Sequence, residues 1–163
     1  MRATRPIAPP WHTTCLLWSL CSAAESGGSG VGRRVVVLDD DAESCRALSE
    51  LLTAEGFHAF PFASGETAWS AIESRQIQPD AVVSDIRMPG LDGVAFLRRL
   101  RARFPDIAVV LVSAFPDDHI WSDALRLGAL DVVPKPIRAG LLVRLLHDAV
   151  RGGQDGSART ETH

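Results

Sequence analysis

The sequence predicts an α/β fold in which five parallel strands form one sheet, doubly wound as (βα)5, with helices on both faces. The first observation is that short aliphatic runs alternate with longer segments of helical periodicity from Arg33 to Val150. The second is that these runs are almost wholly apolar, as expected for strands buried on both sides. Strands joined by crossover helices pair in parallel, and such a sheet is covered on both faces.

The first strand is predicted at residues 35–38, where four aliphatic residues precede a sharp change to acidic ones. A helix follows at residues 42–55 and stops at Gly56. The second strand, residues 57–62, contains Pro61. Because proline cannot donate a hydrogen bond to a neighbouring strand, Pro61 indicates an edge position.

The second helix begins after Ser64, a residue type that commonly caps helices. The third strand, residues 80–85, ends on a carboxylate, and the loop "MPGLDG" leads from it to the third helix. The fourth strand ends near a hydroxyl, and the fourth helix closes at Gly128. The predicted spans from the third helix onward are helix 94–104, strand 107–114, helix 118–128, strand 129–134 and helix 139–150.

Length and composition fit one domain with short extensions. The chain has 163 residues, of which 46% are hydrophobic, so it can bury a core. A formal net charge of −3 gives no general attraction for nucleic acid or an anionic membrane. The cysteines Cys15, Cys21 and Cys45 lack metal-binding spacing and indicate free thiols in a reducing, cytoplasmic compartment. Cys45 shares a helical face with leucines, which favours core packing.

The composition changes near Val31, and this change predicts the domain boundary. Residues 1–30 end in the linker-like "ESGGSGVG", so we expect a disordered extension or a mis-assigned translation start. The apolar segment at residues 15–24 faintly resembles a secretory signal but is too short to span a bilayer. The domain is predicted at residues 31–152, and residues 153–163 are predicted as a disordered tail.

Polar residues cluster where the predicted strands end. In an open parallel sheet these ends meet at one edge, so Asp39, Asp40, Asp85, Ser113 and Lys135 should converge there. Carboxylate oxygens suit octahedral Mg²⁺, which would relieve the repulsion among the acids. Asp85 could then attack phosphorus as a nucleophile, with Ser113 and Lys135 binding the phosphoryl oxygens. Each residue alone also fits a structural role, since strand-end aspartates and serines often cap helices; the combination favours chemistry.

Three motifs resemble the receiver domain of bacterial two-component response regulators. They are "VVVLDDD", "DIRMPGLDG" and "LGALDVVPKP", in the order and at the spacing of that family. The resemblance runs from Arg33 to Gly152. It implies a flavodoxin-like fold and a single-domain, chemotaxis-regulator-like protein.

The resemblance also implies a role for each site residue. Asp85 would be the phosphoacceptor, and Ser113 and Lys135 would be the hydroxyl switch residue and the active-site lysine. Mg²⁺ would be bound by Asp39, Asp40, Asp85 and the backbone carbonyl of Arg87. The peptide bond between Lys135 and Pro136 would be cis, and Asp41 would cap the first helix instead of binding metal.

Two positions depart from the family pattern. Val132 stands where an aromatic ring usually moves inward on phosphorylation, and the chain contains no tyrosine. Phe115 is a bulky apolar residue at a position that is frequently polar in this family.

The resemblance implies a phosphoacceptor that is served by a sensor histidine kinase or a histidine phosphotransfer protein, and not a conventional enzyme. Only about a dozen polar residues follow the last helix, so we expect output through contacts with an unknown protein, from a monomer or weak dimer. The alternative is a gene model that ends early. Direct binding to nucleic acid or a membrane is not expected.

The arginines of the third helix are predicted to form a solvated face, and two isolated histidines are predicted to be exposed. These residues are Arg98, Arg99, Arg101, Arg103, His119 and His147.

Two other functions remain open. A Mg²⁺-dependent phosphohydrolase of the aspartyl-phosphate type usually has a second aspartate two residues after the nucleophile. Arg87 stands at that position here, which argues against this function. A phosphorylation-independent adaptor with the same fold would be free to lose the acid, hydroxyl and lysine set, which is intact here.

Overall fold

The computed structural model describes residues 32–115 and 117–152. The predictions of a disordered extension at residues 1–30 and a disordered tail at residues 153–163 lie outside the described residues. The strands are β1 (Arg34–Leu38), β2 (His58–Phe62), β3 (Ala81–Asp85), β4 (Ala108–Ser113) and β5 (Asp131–Pro134). The helices are α1 (Ala42–Ala54), α2 (Gly65–Glu73), α3 (Gly93–Arg103), α4 (Asp118–Arg126) and α5 (Ala139–Gly152).

The five strands form one parallel sheet in the order β2-β1-β3-β4-β5. The predicted fold class is confirmed, and the element ends differ from the predicted ones by a residue or two. The strand β2 lies at one edge of the sheet, as Pro61 indicated. The Lys135–Pro136 peptide bond is cis.

Helices cover both faces of the sheet because alternate strand residues point in opposite directions. On one face, Val35 and Val37 of β1 belong to a core shared with α1 and α5. On the other, Val36 and Leu38 belong to a core shared with α2, α3 and α4. Cys45 is 4% exposed and packs in the first of these cores, as predicted.

Each of the helices α1 to α4 is preceded by an aspartate or serine whose side chain accepts a hydrogen bond from an amide in the first turn. Asp41 accepts a hydrogen bond from the Ser44 amide at 3.0 Å, and Ser64 accepts one from the Thr67 amide at 3.4 Å. Both caps are confirmed. Asp92 caps α3 in the same way and was not singled out in the sequence.

The interpretation of the α3 arginines as one solvated face is wrong for Arg101. Its guanidinium donates hydrogen bonds to the carbonyl oxygens of Gly128 at 2.7 Å and of Ile107 at 2.7 Å. Ile107 lies in the loop before β4, and Gly128 lies in the loop before β5. Arg101 therefore ties the end of α3 to the segment before β5, whereas Arg98 is exposed.

The two histidines also differ from each other. His119 is exposed, as predicted. His147 is half-buried, and its ring lies 4.7 Å from the ring of Phe57, measured between centroids. The prediction of an exposed His147 is wrong, because its ring packs against Phe57, the residue before β2. Within the described part of the chain, no helix has both the length and the hydropathy needed to cross a bilayer.

Candidate functional site

Three carboxylates meet at the edge of the sheet formed by the carboxyl ends of the strands. The strands β1 and β3 are neighbours in register, so Asp39, just after β1, and Asp85, the last residue of β3, lie side by side. One carboxylate oxygen from each of Asp39, Asp40 and Asp85 lies within 4.8 Å of the others. Asp39 and Asp85 are buried, and Asp40 is exposed.

Lys135 places its ammonium between two of these acids. Its Nζ lies 2.9 Å from Asp39 Oδ2 and 3.5 Å from Asp85 Oδ1. Its main-chain amide donates a hydrogen bond to the carbonyl oxygen of Ser113 at 2.8 Å, which fixes it beside β4. Burial alone would lower the pKa of Lys135, but the hydrogen bond to Asp39 and the negative charges of Asp39 and Asp85 raise it above its ordinary value.

Asp85 carries an electrostatic cost in this arrangement. Burial raises its pKa, the Lys135 ammonium lowers it, and the charges of Asp39 and Asp40 raise it again, so the net shift is upward. A site that holds three carboxylates but a single neighbouring ammonium is short of positive charge. Clustered carboxylate oxygens are the donors that hard divalent cations prefer, so these residues fit Mg²⁺.

The loop after β3 is held close to Asp85 by a glycine. A Cβ atom added to Gly93 would overlap the carbonyl oxygen of Asp85, so only glycine allows this approach. The amide of Gly93 also donates a hydrogen bond to the carbonyl oxygen of Ile86 at 3.0 Å. The start of α3 thus packs directly against the end of β3.

Ser113 ends β4 next to Asp85, since Asp85 is in register with Val112. Ser113 is 2% exposed, and its Oγ accepts a hydrogen bond from the amide of Phe115 at 3.2 Å. Val132, which stands where the family that the motifs resemble usually has an aromatic residue, is buried in the core that includes α4.

Arg87, predicted to offer its backbone carbonyl to a metal ion, lies in the loop two residues beyond Asp85. Its guanidinium carbon lies 5.7 Å from the centroid of the Phe115 ring. Phe115 is 69% exposed. This contact was missed in the sequence, because the two residues are 28 positions apart and nothing in their spacing pairs them.

The structure therefore brings the predicted side chains of Asp39, Asp40, Asp85 and Lys135 together, with Ser113 at the adjacent strand end. A buried carboxylate with an ammonium at one side and acidic donors at the other can accept an electrophilic, anionic group. Phosphoryl groups have this character, because their oxygens need positive charge while phosphorus accepts a nucleophile.

Comparison with known proteins gives the same picture. A family model described as the response regulator receiver domain matches residues 35–147. The chain is 34% identical over 119 residues to the DNA-binding transcriptional regulator NtrC of Klebsiella pneumoniae, covering 73% of this chain and 25% of that protein. It is 32% identical over 117 residues to the transcriptional regulatory protein FixJ of Bradyrhizobium diazoefficiens, covering 72% of this chain and 56% of that protein. The chain thus spans between a quarter and somewhat over half of the length of these relatives.

Solved structures show the same fold. A receiver domain protein from Clostridium thermocellum superposes with a TM-score of 0.71 at 23% identity, over 75% of this chain and 97% of that one. A response regulator receiver protein from Pseudomonas putida gives a TM-score of 0.67 at 27% identity, over 72% and 97%. The chain belongs to the response regulator receiver domain family.

Proposed function

We propose that Asp85 accepts a phosphoryl group from a sensor histidine kinase or a histidine phosphotransfer protein. The observation that carries this proposal is the position of Asp85, a buried carboxylate between the Asp39–Asp40 acidic pair and the Lys135 ammonium. Membership of the receiver family supports the same role. The domain that performs it is proposed to span residues 31–152.

In the proposed reaction, one carboxylate oxygen of Asp85 forms a bond to phosphorus. The bond from phosphorus to the donor's imidazole nitrogen breaks at the same time, and the electron pair leaves on that nitrogen. Lys135, already within 3.5 Å of Asp85, would bind a phosphoryl oxygen as a point charge. Ser113 would donate its hydroxyl hydrogen to another phosphoryl oxygen.

The residues that would hold Mg²⁺ are Asp39, Asp40, Asp85 and the backbone carbonyl of Arg87. When bound, the ion neutralises charge on the carboxylates and on the phosphoryl oxygens. The chain's own residues position the acceptor: Gly93 fixes the end of β3, and the bond from Lys135 to Asp39 fixes the ammonium.

We further propose that the phosphorylated domain signals through contact with a downstream protein. Its NtrC and FixJ relatives are named transcriptional regulators, but this chain matches only part of each. The proposed domain acts in the cytoplasm, as a monomer or weak dimer, without binding nucleic acid or membrane itself. Its chemistry would be limited to its own phosphorylation and dephosphorylation.

The test is labelling of the full chain with radioactive acetyl phosphate in Mg²⁺ buffer. We expect one label per chain, none on Asp85→Asn, and none in EDTA. Asp41→Asn is the matched control, because asparagine caps a helix as well as aspartate does and Asp41 lies outside the proposed ligand set. Label that persists on Asp85→Asn, or that forms equally well in EDTA, would contradict the proposed reaction.

A further inference from the structure

A pocket lies at the edge of the sheet opposite the candidate acceptor site. Its lining comes from residues 72–79, which precede β3, and from residues 103–107, which precede β4. The strands β3 and β4 run from this edge to Asp85 and Ser113 at the other one. The pocket has a volume of about 320 Å³, which is at the lower end of the range for small-molecule sites.

The interior of the pocket is apolar. Ile72 and Ile77 are 2% and 9% exposed, and half-buried Phe104 packs against the same core. All three side chains line the pocket. Small-molecule sites are typically lined in this way, with a few polar groups that orient the ligand. The interior therefore suits the apolar part of a small molecule.

The rim of the pocket has an excess of positive charge. Arg75 and Arg103 line it and are exposed. Within residues 32–115 and 117–152, neither of these two arginines forms an ion pair. Asp106 also lines the pocket, but its charge acts on a third guanidinium: burial lowers the pKa of Arg101, and Asp106 partly offsets that effect. One carboxylate thus faces three guanidinium groups.

The backbone at Arg75 provides a second observation. Its φ is 60°, in the left-handed region, and it follows Ser74, the C-terminal cap of α2. The residues at the same position after α1 and α4 are Gly56 and Gly128, which adopt this conformation without strain. Among the residues that the structure describes, Arg75 is alone in having a side chain at positive φ. Folding alone favours glycine there, which indicates that the guanidinium has another role.

We propose that this pocket binds a small organic anion, with its apolar body against Ile72, Ile77 and Phe104 and its carboxylate bound by Arg75 and Arg103. Guanidinium groups bind carboxylates through paired, charge-assisted hydrogen bonds, and an anion would neutralise the excess charge of the rim. The inference is independent of the proposed function, because none of these residues belongs to the acceptor site.

The experiment titrates the isotopically labelled full chain with 3-phenylpropionate and follows the amide chemical shifts. We expect progressive shifts at residues 72–79 and 103–107, with a Kd on the order of 1 mM for a ligand of this size. Two matched probes separate the contributions. Acetate lacks the apolar body, and 3-phenylpropionamide lacks the charge, so each should bind at least about fivefold more weakly.

Substitutions test the two arginines. Arg75→Gly and Arg103→Ala should each raise the Kd for 3-phenylpropionate roughly three- to tenfold, since each removes one cation that binds the carboxylate. Arg75→Gly should not lower the melting temperature, because glycine adopts the backbone conformation of this position without strain. Arg98→Ala is the matched control, since Arg98 is an exposed arginine of α3 outside the lining, and it should leave the Kd within about twofold.

The outcomes are distinct. Shifts at another surface, equal affinity for 3-phenylpropionate and its amide, or an unchanged Kd in both Arg75→Gly and Arg103→Ala would overturn the proposal. An equal loss of affinity in Arg98→Ala would also overturn it, because it would show general attraction to a basic surface. None of these measurements depends on phosphorylation of Asp85, so failure here leaves the proposed function standing.

Discussion

Replacing Asp85 by asparagine should make the metal-free domain more stable, although it removes the proposed acceptor. The carboxylate is buried, and its pKa is raised by burial more than the Lys135 ammonium lowers it. Asparagine has the same shape without the charge. Lys135 keeps its hydrogen bond to Asp39 at 2.9 Å, so the substitution does not leave a buried ammonium unpaired.

The size of the effect follows from the distances. At an effective dielectric constant of about 20, two unit charges 4.8 Å apart, the upper limit for the three carboxylate oxygens, interact by about 3.5 kcal/mol, and two charges 3.5 Å apart by about 4.7 kcal/mol. The repulsion of Asp85 by Asp39 and by Asp40 is therefore close to its attraction to Lys135, once the Asp40 share is reduced because that residue is exposed. The desolvation of a carboxylate with 11% side-chain exposure then remains as the net cost. We expect Asp85→Asn to raise the free energy of unfolding by about 1–2 kcal/mol, or the melting temperature by about 3–8 °C.

The assay is thermal unfolding in EDTA, followed by circular dichroism, with Asp123→Asn as an exposed control expected within about 0.5 kcal/mol. Because the folded-state pKa of Asp85 is raised, the unmodified chain loses stability relative to the variant as pH rises through that pKa, and the difference closes at lower pH. Excess Mg²⁺ should stabilise the unmodified chain more than the variant. A lower melting temperature for Asp85→Asn in EDTA would show that Lys135 over-compensates the buried charge and would refute the reasoning.

Two further predictions concern positions that hold the site and the sheet in place. Gly93→Ala should destabilise the domain by about 1–3 kcal/mol, since its Cβ would overlap the Asp85 carbonyl oxygen. Gly140→Ala in α5, where an added Cβ would meet no atom within 4 Å beyond its chain neighbours and its own helix backbone, should stabilise the domain by about 0.4–1 kcal/mol. Equal effects of the two substitutions in urea unfolding would contradict the close approach of Gly93 to Asp85. Arg101→Ala should lower the free energy of unfolding by about 1–3 kcal/mol, because the hydrogen bonds to Gly128 and Ile107 are lost. Arg98→Ala should lower it by less than about 0.5 kcal/mol. Matching unfolding midpoints for the two variants would contradict the separate role of Arg101.

The fold was predictable because its causes are local. Each strand of the sheet interior is a run of aliphatic residues, and each run is followed by a segment of helical period, which leaves few alternatives to a parallel sheet. The role of Arg101 was not predictable, because its acceptor Gly128 is 27 residues away and becomes available only when α3 packs beside the loop before β5. The half-burial of His147 against Phe57 likewise depends on packing between distant elements.

The location of the candidate site was predictable for a different reason. A parallel sheet places the carboxyl ends of its strands at one edge, so residues that follow these strands in the sequence can be predicted to lie near one another. Which of them touch was not predictable, since side-chain torsions decide whether Lys135 contacts Asp39, Asp85 or both. The Arg87–Phe115 contact joins two exposed loop residues, and exposed positions leave no hydrophobic pattern in a sequence.

The three consecutive aspartates after β1 differ in role: one caps a helix, and two belong to the acidic cluster of the candidate site. Asp41 is exposed, and the Ser44 hydroxyl and amide lower its pKa, so it stays ionised as the cap of α1. Asp39 is buried and bonded to Lys135, and Asp40 faces solvent at the rim of the acidic cluster. The cap stabilises the helix that follows, while the charge that is costly to bury falls on Asp85, across the sheet edge. Because burial and the neighbouring carboxylates make the ionised form of Asp85 costly even with Lys135 beside it, Asp85 gains most from a further cation, whereas exposed Asp41 does not. This is the physical reason to expect metal dependence at Asp85 and none at Asp41.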